Sequence, residues 1–235
     1  MHPFSRRFWS ITTYALPSSK RRVDLTCSSL RGTTRVSLAA PFLRIATLVG
    51  VLLFAFLFGC GDRGKPHFKL TDVTGANFGK SLALTDHTGQ PRTLADYKGK
   101  VVVLFFGFTH CPDACPTTMA ELAKVDRELG PDADRMQVLF VTVDPERDTQ
   151  SVLAQYVPAF DPRFVGLYGS AEETARAAKE FKIYYQKQPL PGGGYTMDHS
   201  AGTFVLDKQG RLRLFAQYGA GAQALLHDIR LLIAE

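Results

Sequence analysis

Cys111 and Cys115 stand four residues apart in Cys111-Pro-Asp-Ala-Cys115, between an apolar run and a helical pattern that opens at Pro116. Two cysteines at this spacing, on a loop merging into a helix start, can point their sulfurs to one side. The free N–H groups of a helix N-terminus favour thiolate over thiol. Thiolate is the form that binds a metal or attacks a disulfide. The bland alternative is a pair of inert core cysteines, and it fits poorly because Pro112, Asp113 and Pro116 make a bad packing surface.

Spacing separates the chemical readings. Thioredoxin-type redox enzymes place two residues between their cysteines, and here there are three. The wider loop can still close into a disulfide, and it also leaves room for a metal between two sulfurs. Two thiolates suit a soft monovalent ion such as Cu(I), and an added imidazole completes a three-coordinate site. A structural zinc would want four protein ligands. The candidate imidazole is His199, in Tyr195-Thr-Met-Asp-His-Ser200. A lone histidine beside a strand is ordinarily a surface or core residue with satisfied hydrogen bonds, and on spacing alone that reading leads. Asp198 is a partner for that ring or a turn residue. Met197 carries a soft thioether but reads as packing. His110 adjoins Cys111, and neighbouring side chains diverge in a strand or helix, so it is the weaker ligand candidate. His67, His87 and His227 read as linker, turn and helix surface.

These residues need a scaffold. Residues 101–106 form a continuous apolar run rich in valine, the signature of a central strand buried on both faces. Residues 137–143 give a second such strand and residues 164–168 a shorter third. Residues 81–86 and 92–94 suggest a hairpin around a turn at Gly89. Between strands, residues 116–129 carry Met119, Leu122, Val125 and Leu129 on one stripe, and Pro116 suits a first helical turn. Residues 151–157 predict a short helix. Ser170 and Glu173 form a capping box opening a helix to about Phe181. Residues 203–206 and 212–217 read as a second hairpin, followed by an amphipathic helix over 220–234. Strands alternating with helices imply parallel pairing. The order matches an α/β, thioredoxin-like three-layer sandwich with an N-terminal β-hairpin extension. Residues 186–197, with Pro189, Pro191 and three glycines, read as a long loop.

The chain of 235 residues, 45% hydrophobic and 21% charged, is enough for one compact domain plus extra segments. Its net charge of +6 suggests a nucleic-acid binder until it is divided. Residues 1–60 hold eight of the 28 Lys and Arg and one of the 22 acidic residues, so that segment carries +7 and the remainder −1. The body has no positive field for a phosphate backbone, which excludes nucleic-acid partners. Residues 45–59 are fifteen uncharged, mostly apolar residues behind Arg31, Arg35 and Arg44. A membrane span needs about 20, so the stretch reads as the apolar part of a secretion signal. Gly59-Cys60 after it resembles a lipoprotein cleavage site, with Cys60 lipidated and Phe58 a departure from the pattern; the alternative is an uncleaved anchor. Either way residues 1–60 are an address, 61–67 a linker, and the domain over 68–235 lies tethered outside the cytoplasmic membrane. Cys27 receives no role.

Three stretches then converge. Residues 105–118 (FFGFTHCPDACPTT), 142–149 (TVDPERDT) and 195–200 (YTMDHS) closely resemble the three signatures of the Sco/SenC family, and the likeness runs from about Phe68 to the C-terminus. The resemblance implies a thioredoxin-like domain, anchored to the membrane and facing the periplasm. It implies one copper per chain, as Cu(I) or Cu(II), held by Cys111, Cys115 and His199, which reverses the bland reading of that histidine. It makes Cys111 and Cys115 a redox-active disulfide pair, with Asp144 and Asp198 as supporting residues. The implied activity is that of a metallochaperone rather than an enzyme, delivering copper to the dinuclear copper centre of cytochrome c oxidase subunit II. The implied partners are that subunit, a copper donor and a thiol reductant, because the periplasm is oxidising. The competing class is a thiol–disulfide oxidoreductase that keeps the oxidase cysteines reduced. A peroxide-detoxifying thioredoxin relative leaves the spacing and the histidine unexplained, and a bare scaffold leaves all three residues so.

Overall fold

The computed structural model describes residues 67–235, so the readings of the anchor, Cys27 and Cys60 lie outside the described residues. Among the described residues no helix is long and apolar enough to cross a membrane. A short strand β1 (Thr71–Asp72) precedes the hairpin of β2 (Ala83–Asp86) and β3 (Pro91–Thr93). An alternating series follows: β4 (Val101–Gly107), α1 (Ala114–Leu129), β5 (Met136–Thr142), α2 (Gln150–Tyr156), β6 (Val165–Tyr168) and α3 (Ala171–Glu180). The chain closes with β7 (Tyr185–Pro189), β8 (Tyr195–His199), β9 (Gly202–Leu206), β10 (Leu212–Gln217) and α4 (Ala222–Ala234).

Eight strands form one sheet in the order β1-β10-β9-β4-β5-β6-β2-β3. Its centre is β4, whose seven residues are all buried. An all-apolar strand has no face to offer water, so both of its faces must be covered. β4, β5 and β6 pair in parallel, with α1 linking the first two and α2 the next, and β9 returns antiparallel on the other side of β4. The stripe expected on α1 is buried, and α1 packs on α4. The capping box at α3 forms in full: Glu173 N–H donates to Ser170 Oγ at 3.2 Å and Ser170 N–H to Glu173 Oε2 at 2.8 Å. This is the α/β, thioredoxin-like architecture expected from the sequence.

The N-terminal hairpin is joined to the sheet through β2 and β6. Asp86 organises its turn. One carboxylate oxygen accepts from Thr88 N–H (2.8 Å), Thr88 Oγ1 (2.6 Å) and Gln90 N–H (3.0 Å), and the other from Arg92 Nε (2.7 Å). Burial acts to raise this carboxyl's pKa, but the donors outweigh it and hold the group down to about 2.

One expectation fails. Residues 186–197 are not a structureless loop: β7 and β8 pair antiparallel from Tyr185↔His199 to Pro189↔Tyr195, as a two-stranded sheet of their own. The ribbon has no fully covered face, so its sequence lacks the apolar alternation that marks a half-buried strand. Pro189 is tolerated because it ends an edge strand, and Gly192, Gly193 and Gly194 turn the tip with positive φ.

Candidate metal centre

The site is built where β4 ends. The chain leaves the strand at Gly107, turns through residues 108–111 with Cys111 N–H donating to Phe108 C=O at 3.3 Å, and enters α1 at Ala114. Cys111 is half-buried on this turn, and Cys115 is the second residue of the helix and fully buried. The N–H of Cys115 donates to Cys111 Sγ at 3.4 Å, so the first turn of the helix faces that sulfur. Gly107 makes room for the other. A Cβ there would lie 3.0 Å from Cys115 Sγ and 2.9 Å from ring carbons of both Phe105 and Phe140.

Burial corrects one sequence expectation. A helix N-terminus favours thiolate, but Cys115 sits inside the apolar core, and loss of solvation pushes its pKa well up. Cys115 is therefore a thiol near neutral pH, with a proton to give.

His199 ends β8, and its Nε2 lies 3.7 Å from Cys115 Sγ. Its Nδ1 lies 3.0 Å from Ser200 C=O. A carbonyl can only accept, so Nδ1 carries the proton and Nε2 presents its lone pair to the sulfur. Burial lowers the ring's pKa, outweighing the Ser200 carbonyl and the Asp198 charge, which act the other way. The neutral ring accepts the Cys115 S–H. The same gap suits a cation: donors at about 2.3 Å (sulfur) and 2.0 Å (nitrogen) from one ion, bonded at roughly 120°, are about 3.7 Å apart. Among the described residues no group of three or more His, Cys, Asp or Glu side chains is already closed around a metal position. One sulfur and the imidazole are assembled, and the second sulfur stands against the same helix start.

Asp144 is buried but does not point to a ligand role. Its carboxylate accepts from Arg147 Nε at 2.5 Å and from Tyr195 Oη at 2.8 Å. Arg147 Nη1 donates to Tyr195 C=O at 2.8 Å, and its guanidinium lies 3.8 Å from the centre of the Tyr195 ring. Asp144 and Arg147 together fasten the start of β8, the strand that carries His199. Phe108 meets the His199 ring edge-on at 5.7 Å and lies 6.0 Å from the same guanidinium. Gly107, Phe108, Arg147 and Tyr195 were not singled out from the sequence as functional, although all four lie inside the three signature stretches.

The remaining candidates disperse. Asp198 and His67 are exposed, and Met197 is buried in the core. His87 Nδ1 accepts from Gly166 N–H at 2.9 Å, and His227 on α4 pairs with Asp228 at 2.7 Å. His110 is exposed on the turn beside Cys111.

Comparison with known proteins gives the same direction. A family model described as SCO1/SenC matches residues 70–234. The mitochondrial protein SCO2 homolog of Bos taurus is 38% identical over 195 residues, covering 78% of this chain and 72% of that protein. The Mus musculus counterpart is 41% identical over 156 residues, covering 65% of this chain, and the chain spans only 61% of that protein's length. A solved structure of Bradyrhizobium japonicum ScoI with copper bound superposes with a TM-score of 0.61 at 37% identity, covering 66% of this chain and 99% of that one.

Proposed function

Since this chain belongs to the SCO1/SenC family, we propose that it is a membrane-tethered copper chaperone that takes one copper ion on Cys111, Cys115 and His199. It passes the ion to the dinuclear copper centre of cytochrome c oxidase subunit II. Residues 1–60 serve as lipoprotein signal or anchor and 61–67 as linker, and the domain faces the periplasm. A copper donor and a thiol reductant act upstream.

The observation that carries the reading is the Cys115–His199 pair: the sulfur and the imidazole Nε2 face each other across 3.7 Å, the gap a thiol proton would fill. Soft Cu(I) replaces that proton, and the half-exposed Cys111 closes the third position. Three donors leave the ion open to a fourth, so a partner's thiolate enters before these leave and free copper never forms. Cu(II) tends to oxidise the two thiolates to a disulfide, which is why the pair depends on a reductant. The test is copper stoichiometry on Cys111→Ser, Cys115→Ser and His199→Ala. Wild type takes one ion and the variants bind it more weakly; unchanged binding in all three removes the site.

A second reading, thiol–disulfide exchange on the oxidase cysteines, is favoured by the contrast between a half-exposed Cys111 and a buried Cys115, the arrangement of an attacking and a resolving thiol. Exchange has no need of His199. Full cellular activity of His199→Ala, with loss in either Cys→Ser variant, would decide for it.

A further inference from the structure

His110 is the weaker ligand candidate only if its side chain diverges from that of Cys111, as neighbours do in a strand or helix. The turn over residues 108–111 belongs to neither, so that objection does not apply. The His110 side chain is 55% exposed. Its Nδ1 lies 3.1 Å from Thr109 Oγ1. The Thr109 hydroxyl gives its one proton to Asp148 Oδ1 at 2.5 Å. Asp148 is fully buried and also accepts from Thr109 N–H at 3.0 Å and Thr142 Oγ1 at 2.6 Å. Burial raises this carboxyl's pKa, and the bonds from Thr109 and Thr142 act against that rise, each needing an oxygen lone pair to receive it.

With its proton committed, Thr109 Oγ1 can only accept from the ring. Nδ1 of His110 therefore carries the hydrogen, and Nε2 bears the lone pair. A buried carboxylate acting through a hydroxyl fixes the imidazole in the tautomer that binds a metal, as second partners of metal-bound histidines do. His199 reaches the same tautomer by donating to Ser200 C=O. Two imidazoles with the same nitrogen free thus belong to the Cys111 neighbourhood, one half-buried and one exposed.

We propose that His110 is a hand-off ligand: Cu(I) held by the two sulfurs exchanges His199 Nε2 for His110 Nε2 on its way out. The proposal rests on the copper reading and adds a route to it. One copper–nitrogen bond forms as another breaks. Each bond uses the lone pair of a ring Nε2, no electron moves, and the ion stays Cu(I) throughout. The exchange carries it from the half-buried donor to the exposed one, where an incoming partner can reach it. Thr109 and Asp148 are positioning residues in this scheme.

The experiment loads the full-length protein in detergent with one Cu(I) under anaerobic conditions and follows transfer to an excess of a colorimetric Cu(I) chelator by stopped flow. His110→Ala should retain one ion at an affinity close to wild type and release it about tenfold more slowly, the scale on which outer partners of metal sites act. Thr109→Val should slow release in the same sense, and Thr109→Ser, which keeps the hydroxyl, should restore it. Release from His110→Ala at the wild-type rate would overturn the proposal, as would a loss of equilibrium affinity equal to that of His199→Ala, which would make His110 a resident ligand. A wild-type protein that takes up no copper would overturn the copper reading itself and the hand-off with it.

Discussion

His199 Nε2 and Cys115 Sγ lie 3.7 Å apart although 84 residues separate them in sequence. Sheet topology brings them together. β9 runs antiparallel to β4 with Thr203 opposite Phe105 near the end of the ladder. The chain just before β9 must then lie beside the chain just after β4, and those two segments carry His199 and the cysteines.

That pair sets a pH dependence. Burial raises the Cys115 pKa, so at pH 7 its sulfur is protonated and copper must displace the proton. The His199 pKa is lowered, so its ring is already neutral and releases nothing. Cu(I) affinity should therefore rise between pH 6 and 8, by up to about tenfold per unit for each thiol proton released. Competition titrations at three pH values check this, and a flat profile would contradict a protonated Cys115.

Arg147→Ala should weaken copper binding and also lower the melting temperature, because it leaves the buried Asp144 carboxylate without its cation. It removes the donor to Tyr195 C=O and the guanidinium packed on that ring, which together fasten the strand bearing His199. Loss of such support costs on the order of tenfold in affinity. Amide exchange in β7 and β8 should quicken while β4 and β5 stay protected.

Gly107→Ala should disturb fold and site together. The new methyl would sit 2.9 to 3.0 Å from Phe105, Phe140 and Cys115 Sγ, inside ordinary contact distance. Overpacking of this kind costs about 1–3 kcal/mol. Urea denaturation should show that loss, with weaker copper binding as the sulfur is displaced.

Asp86→Asn tests the N-terminal hairpin. A carboxyl with a folded pKa of about 2, against 3.8 for the ordinary group, contributes stability above pH 4 that is lost as pH falls towards 2. A shift of that size corresponds to roughly 2 kcal/mol. The variant should be less stable than wild type at pH 7 and the gap should narrow below pH 3; a gap independent of pH would assign the effect to hydrogen-bond geometry instead of charge.

Local signals in the sequence located most of the scaffold. The six-residue apolar run over 101–106 marked a covered strand, one residue short of its observed end at Gly107, and Ser170 with Glu173 marks the start of α3 to the residue. The ribbon of β7 and β8 was hidden because Pro189, Pro191 and three glycines read as loop, and a ladder open on both sides leaves no periodic trace. Burial of Cys115 was hidden for a different reason. Pro112 and Asp113 are exposed and Pro116 is half-buried, and together they mask a cysteine between them that points inward over Gly107. The fastening of Tyr195 by Asp144 and Arg147 spans about fifty positions and has no local signature at all.

The ribbon that carries His199 shares no ladder with the eight-stranded sheet whose central strand leads into the cysteine turn and helix. Lifting it away cuts none of the strand pairings from which the large sheet is woven. If the site takes copper as proposed, opening it exposes Met197 but leaves the large sheet paired, so release of the ion and melting of the domain would be governed by separate free energies.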